Sequence, residues 1–133
     1  MMGGLLYSTQ GPEGIIVCDE VFAYGCYHGF LGNAIQDIGL LKADDLNRKC
    51  VSLSQIAILN CQHGMGHGIL AYLGPEKLSE ALNACNDLEG DRAGVRCMNG
   101  VFMEFNFNTM SHKETVIRKL DPSSPYSPCD NIS

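Results

Sequence analysis

Three four-residue motifs recur along the chain at nearly constant spacing. Each begins with a cysteine and ends with a glycine; they are Cys26-Tyr27-His28-Gly29, Cys61-Gln62-His63-Gly64 and Cys97-Met98-Asn99-Gly100. Successive first cysteines are 35 and 36 positions apart, and a second series, Cys50 and Cys85, is again 35 apart. Because a period of this size is the length of one helix–turn–helix repeat, the sequence predicts an array of similar helical units.

The cysteine content favours disulfides. Seven cysteines in 133 residues is many for a reduced cytosolic protein, and they can be either disulfides in an oxidising compartment or thiolates that bind zinc. Zinc sites typically use cysteines about two to four residues apart, whereas seven, ten and eleven residues separate Cys18/Cys26, Cys50/Cys61 and Cys85/Cys97. These intervals fit disulfides between the two arms of a helical hairpin better than they fit a zinc site. Because disulfides persist in an oxidising compartment, the sequence predicts an extracytoplasmic protein, secreted or periplasmic.

The two ends of the chain are compatible with a mature form or with a fragment of a longer protein. Residues 1–4 have neither the basic segment nor the long apolar stretch of a signal peptide. Cys129 has no evident partner and lies where the first cysteine of a further repeat is expected. An odd cysteine in an oxidising compartment suggests a partner elsewhere.

Hydrophobic periodicity predicts helices and no sustained strand. Residues 1–14 are glycine-rich and are predicted to be an irregular lead-in, and residues 121–133, with three prolines and four serines, a loop or frayed tail. The expected fold is all-α, a single domain over residues 1–133 in which residues 15–120 form about three stacked antiparallel helical hairpins. The predicted helices are 15–38, 40–49, 55–73, 76–88, 93–107 and 112–120.

This arrangement resembles the Sel1-like branch of the tetratricopeptide superfamily, in particular its cysteine-rich members. The resemblance covers most of the chain and rests on the period, the paired cysteines and small-residue segments such as Ala71-Tyr72-Leu73-Gly74. It implies that a disulfide joins the two helices of each hairpin and that the repeats serve as a binding scaffold. The implied pairs are Cys18–Cys26, Cys50–Cys61 and Cys85–Cys97, with Cys129 left over.

Charge and missing motifs exclude several classes of function. The formal net charge is −6 and no basic stripe exists, which argues against nucleic acid and against an anionic membrane surface. The apolar runs are far shorter than the roughly 20 residues that span a bilayer. There is no nucleophile elbow and no phosphate-binding glycine loop, and the long cysteine intervals count against thiol–disulfide exchange.

The histidines carry the strongest chemical signal. His63 and His67 are four residues apart, so on a helix they share one face and can hold one metal ion between them, as in H-E-x-x-H sites. Gly64 occupies the place of the glutamate in that motif, which excludes a zincin. His28 has the same position in its motif as His63, and because packed helices lie about 8–10 Å apart, their imidazoles can meet at one ion.

The predicted metal ligands are His28, His63, His67 and Glu104, a set that suits zinc or copper. With three protein ligands the site would be hydrolytic, with Glu104 and His67 as catalytic residues and Glu104 as the base; with four it would be structural. In the alternative interpretation, the histidines and Asn99 hydrogen-bond across a helix–helix contact, and the repeat surface is a scaffold that binds a protein partner.

Overall fold

The computed structural model describes residues 2–18, 25–107 and 122–132. Within these ranges the chain is helical and has no strand, so the all-α class is confirmed. The described α-helices are α1 (Met2–Gln10), α2 (Gly25–Ile38), α3 (Ala43–Val51), α4 (Gln55–Leu73), α5 (Leu78–Asn86) and α6 (Ala93–Phe107). Short 3₁₀ segments lie at Gly11–Val17, Leu40–Lys42, Pro75–Lys77 and Cys129–Asn131.

The bounds of the two helices that carry the second and third motifs agree with the sequence prediction. Helices α4 and α6 span the predicted residues 55–73 and 93–107. Helix α4 ends at Leu73, and the next residue, Gly74, has a φ of 96°, a conformation that favours glycine after a helix C-terminus. Helices α3 and α5 begin two or three residues later than predicted, each after a 3₁₀ turn. The helix predicted over residues 112–120 lies outside the described residues.

The irregular lead-in predicted for residues 1–14 is wrong, because this segment is helix α1 followed by a 3₁₀ segment. Its glycines serve close packing: a Cβ on Gly3 would lie 2.0 Å from the carbonyl oxygen of Cys26. The backbone of α1 therefore lies directly against α2. The helix predicted to begin at residue 15 is also corrected at its start, since the 3₁₀ segment extends to Val17.

Helix α4 lies between α2 and α6 and packs against both. Helix α1 packs against α2, α3 packs against α4, and α5 packs against both α4 and α6. A core of buried apolar side chains lies between these helices. Full burial of one large apolar side chain contributes about 1.5–3 kcal/mol, so this core stabilises the packing of the helices. Its largest fully buried apolar side chains include Tyr27, Phe30, Leu31, Ile35, Leu46, Met65 and Ile69.

Three disulfides link neighbouring segments in the predicted pairing. Cys18–Cys26 joins the end of the first 3₁₀ segment to α2, Cys50–Cys61 joins α3 to α4, and Cys85–Cys97 joins α5 to α6. Cys129 is a free and exposed thiol. Three internal disulfides are typical of proteins that fold in an oxidising compartment. Among the helices described, none is both long enough and apolar enough to cross a bilayer.

A buried polar network, which the sequence analysis did not predict, connects α3, α4 and α6. Gln62 donates from Nε2 to the side-chain oxygen of Asn47 at 2.9 Å and accepts a 2.9 Å hydrogen bond from Arg96. Asn47 also donates to the carbonyl oxygen of Glu89 at 2.6 Å. Gln62 and Asn47 are each only 1% exposed, so these bonds satisfy buried polar groups. They also hold α4 in place at Gln62, the residue directly before His63.

Candidate metal centre

The glycines of α4 allow its backbone to touch two neighbouring helices. A Cβ on Gly64 would lie 2.9 Å from Leu31 of α2, and one on Gly68 would lie 2.8 Å from Ile35 of the same helix. A Cβ on Gly66 would lie 1.8 Å from the carbonyl oxygen of Cys97 in α6. Real Cβ atoms do not approach this closely, so a larger residue at Gly66 would force α4 and α6 apart.

Helical geometry explains why the histidines project from the remaining side of α4. Each residue advances by about 100° around the axis, so Gly64 and Gly68 share one side while Gly66 lies roughly opposite. His63 and His67 lie between these two sides. The imidazoles are therefore directed to the edge of the contact, where α2 contributes His28.

The structure brings the three predicted histidines into one cluster. One ligand nitrogen from each of His28, His63 and His67 can be chosen so that all lie within 4.8 Å of one another. The ring centroids are 4.4 Å apart for His28 and His67, 4.8 Å for His63 and His67, and 5.7 Å for His28 and His63. His67 is fully buried, and the other two are half-buried.

Glu104 of α6 lies behind this cluster rather than within it. Its Oε2 lies 2.8 Å from Nδ1 of His67, whereas Nε2 of His67 faces Nε2 of His63 at 3.1 Å. Both hydrogen bonds of the His67 ring form when His67 donates from Nδ1–H to Glu104 and accepts at Nε2 from His63. Glu104 is a ligand in the sequence prediction, whereas among the described residues the group of mutually close ligand atoms contains only the three histidines.

The local electrostatics keep His28 and His63 neutral at physiological pH, because the pKa of each is lowered. Burial, followed by the imidazoles of His67 and His63, lowers the pKa of His28 from 6.5 to about 4, although the carboxylate of Glu104 opposes this. Burial and the neighbouring His67 also lower the pKa of His63. A neutral imidazole is the form that binds metal ions, so protons compete weakly for these nitrogens near pH 7.

One pair of nitrogens, the Nε2 atoms of His63 and His67, has a spacing that suits a tetrahedral ion. Zinc binds imidazole nitrogens at about 2.0–2.1 Å, which places two ligand nitrogens about 3.3 Å apart. The observed 3.1 Å between the Nε2 atoms of His63 and His67 is close to that value. Glu104 on the opposite ring nitrogen gives the carboxylate–histidine pair that commonly orients a metal-binding imidazole. The donor set therefore fits zinc or copper.

Asn99, which has the motif position of His28 and His63, is exposed on α6. A groove of about 640 Å³ is lined by residues of the first 3₁₀ segment, the end of α2, and the Leu40–Lys42 turn with α3, and none of them is a histidine. Its basic side chains are largely engaged, since Arg48 pairs with Asp44 at 2.8 Å and Lys49 pairs with Glu13.

Comparison with known proteins gives no relative from which a function can be transferred. No protein-family model matches the chain. No curated protein and no solved structure is significantly similar to it.

Proposed function

We propose that this protein binds one zinc or copper ion through His28, His63 and His67, in an extracytoplasmic compartment. The observation that carries the proposal is the convergence of three imidazoles from two helices within 4.8 Å. Three internal disulfides support the proposed compartment, because they persist in oxidising surroundings.

Glu104 is proposed as a residue that orients His67 and not as a ligand or a catalytic base. Its carboxylate accepts the hydrogen bond from Nδ1 of His67, and Glu104 is only 1% exposed. An ion on Nε2 of His67 would lie about 7 Å from this carboxylate oxygen, far beyond the roughly 2.0–2.2 Å of a zinc–carboxylate bond. Its negative charge would instead raise the basicity of the imidazole and offset part of the charge of the ion.

The repeat architecture inferred from the sequence remains part of the proposal. Equivalent glycines support it: Gly29, Gly64 and Gly100, the last residues of the three motifs, each face an earlier helix. Gly29 lies against the backbone of α1, Gly64 against α2, and a Cβ on Gly100 would lie 1.9 Å from the carbonyl oxygen of His63 in α4. The Sel1-like assignment is retained as a proposal on the same basis.

Elemental analysis of protein purified without a histidine tag tests the proposed function. We expect about one zinc or copper ion per chain, and calorimetric titration of the chelator-stripped protein should show one site. His67→Ala should abolish this binding, while Asn99→Ala, at the corresponding motif position on α6, should leave it unchanged. A stripped protein that takes up neither ion, with an unchanged melting temperature, would instead favour a scaffold with structural histidines.

A further inference from the structure

We infer that an ion held by the histidine cluster keeps one coordination position for a small anion from outside the chain. This inference rests on the proposed metal binding and goes one step further, because it assigns a ligand class to the site.

The described residues supply three donors, and zinc sites in proteins normally have four ligands. Glu104 is the nearest described carboxylate to His67, but it is engaged at Nδ1 on the far side of that ring. The described cysteines in the helical core are all in disulfides, so no thiolate competes for the ion there. Three protein ligands with a fourth, exchangeable one is the arrangement of zinc sites that bind external ligands.

The exposure of the three imidazoles shows on which side the remaining position lies. His67 has no exposed surface, and its Nε2 is directed towards His63. His28 and His63 are half-buried, so the exposed part of the cluster lies on their side, while Nε2 of His28 is itself buried. An ion bound to all three rings would have the buried His67 behind it and the open side in front of it.

The charge at the site favours an anion at this position. Three neutral imidazoles leave the charge of a divalent ion unchanged, and the one described carboxylate at the cluster, Glu104, offsets only half of it. In the partly desolvated site, a small monodentate anion therefore gains more than a neutral ligand of the same size. Azide and bromide have this chemistry and serve as probes.

Azide titration of the cobalt(II)-loaded protein tests the inference by its visible absorption spectrum. Stripped protein is loaded with one equivalent of cobalt(II), and loss of the spectrum on addition of zinc shows that both ions use the same site. We expect azide to change the spectrum saturably with one azide per cobalt. Asn99→Ala should respond in the same way, and His67→Ala should give no protein-bound cobalt spectrum.

The outcomes separate the two proposals. A cobalt spectrum that azide leaves unchanged would mean that the chain itself fills the fourth position, and it would overturn this inference while metal binding stands. If the protein binds zinc but not cobalt, X-ray absorption at the zinc edge in bromide provides the same test: a zinc–bromide distance supports the inference, and four light ligands with no bromide overturn it. Protein that binds none of these ions refutes both proposals.

Discussion

Replacing Glu104 by Gln separates the orienting role of this residue from its contribution to the fold. Glutamine has the same length, and its side-chain oxygen can still accept the hydrogen bond that His67 donates across 2.8 Å. What is lost is the negative charge behind the imidazole. Loss of such a supporting carboxylate typically weakens metal binding about 10- to 100-fold, which corresponds to about 1.4–2.7 kcal/mol.

The metal-free protein should tolerate this change. The charge-assisted hydrogen bond becomes a neutral one, at a cost of about 1 kcal/mol. Burial of a neutral amide in place of a carboxylate offsets part of this cost, because Glu104 is almost completely removed from water. We therefore expect the free energy of unfolding of the stripped Glu104→Gln protein to change by less than about 1 kcal/mol.

Calorimetric zinc titration and urea unfolding of the same stripped samples measure both quantities. Glu80→Gln is the matched control, because Glu80 is exposed on α5 and pairs only loosely with Lys77 at 3.6 Å. Unchanged zinc affinity in Glu104→Gln would show that the carboxylate does not support the site. A loss far above about 100-fold would show that Glu104 is itself a ligand, as the sequence analysis expected.

Three further predictions follow from the packing, the protonation and the thiols. Gly66→Ala should lower the free energy of unfolding by more than about 3 kcal/mol, since its Cβ would lie 1.8 Å from the carbonyl oxygen of Cys97. Gly25→Ala is the control and should not destabilise the protein, because its Cβ would meet nothing within 4 Å. Equal urea midpoints for the two variants would contradict the packing of α4 on α6. Because the pKa values of His28 and His63 are lowered on folding, the unfolded chain binds more protons below about pH 6.5. The stability of the stripped protein should thus be complete above that pH and fall as the pH is lowered towards the folded pKa of His28, about 4. A flat urea midpoint between about pH 6.5 and pH 5 would refute this sign, and His28→Gln should reduce the slope. Peptide mapping without reductant should recover the three disulfides and one alkylated thiol at Cys129; alkylation of Cys85 or Cys97 in native protein would contradict the structure.

Sequence reasoning predicted what depends on spacing. The interval between Cys50 and Cys61 is long enough to connect two helices across a short turn, and the structure confirms that disulfide. The four-residue interval between His63 and His67 places both imidazoles on one face of any helix. The shared motif position of His28 and His63 predicted that the imidazole of His28 lies beside this pair. In the structure the three imidazoles form one cluster.

Spacing alone does not decide which groups come into contact. Gly3 disfavours an isolated helix, but against α2 its missing side chain permits backbone contact that compensates for low propensity. The order of residues along α6 placed Glu104 near the cluster without showing which ring nitrogen of His67 it would meet. Polar residues at the buried positions Asn47 and Gln62 were the available signal for the network between α3 and α4, and it was not used.

The glycines of α4 connect the fold to the proposed chemistry. Three glycines within one helix cost about 3 kcal/mol of helix propensity relative to alanine, and the tight contacts of Gly64, Gly66 and Gly68 with α2 and α6 show where this cost is recovered. The same close approach brings His28 of α2 within reach of His63. A chain with alanines in place of these glycines would form a better isolated helix and would hold its neighbours farther away, so the imidazoles could no longer share one ion. A substitution that separates α2 from α4 should therefore weaken both metal binding and the stability of the fold, because both depend on the missing side chains of these glycines.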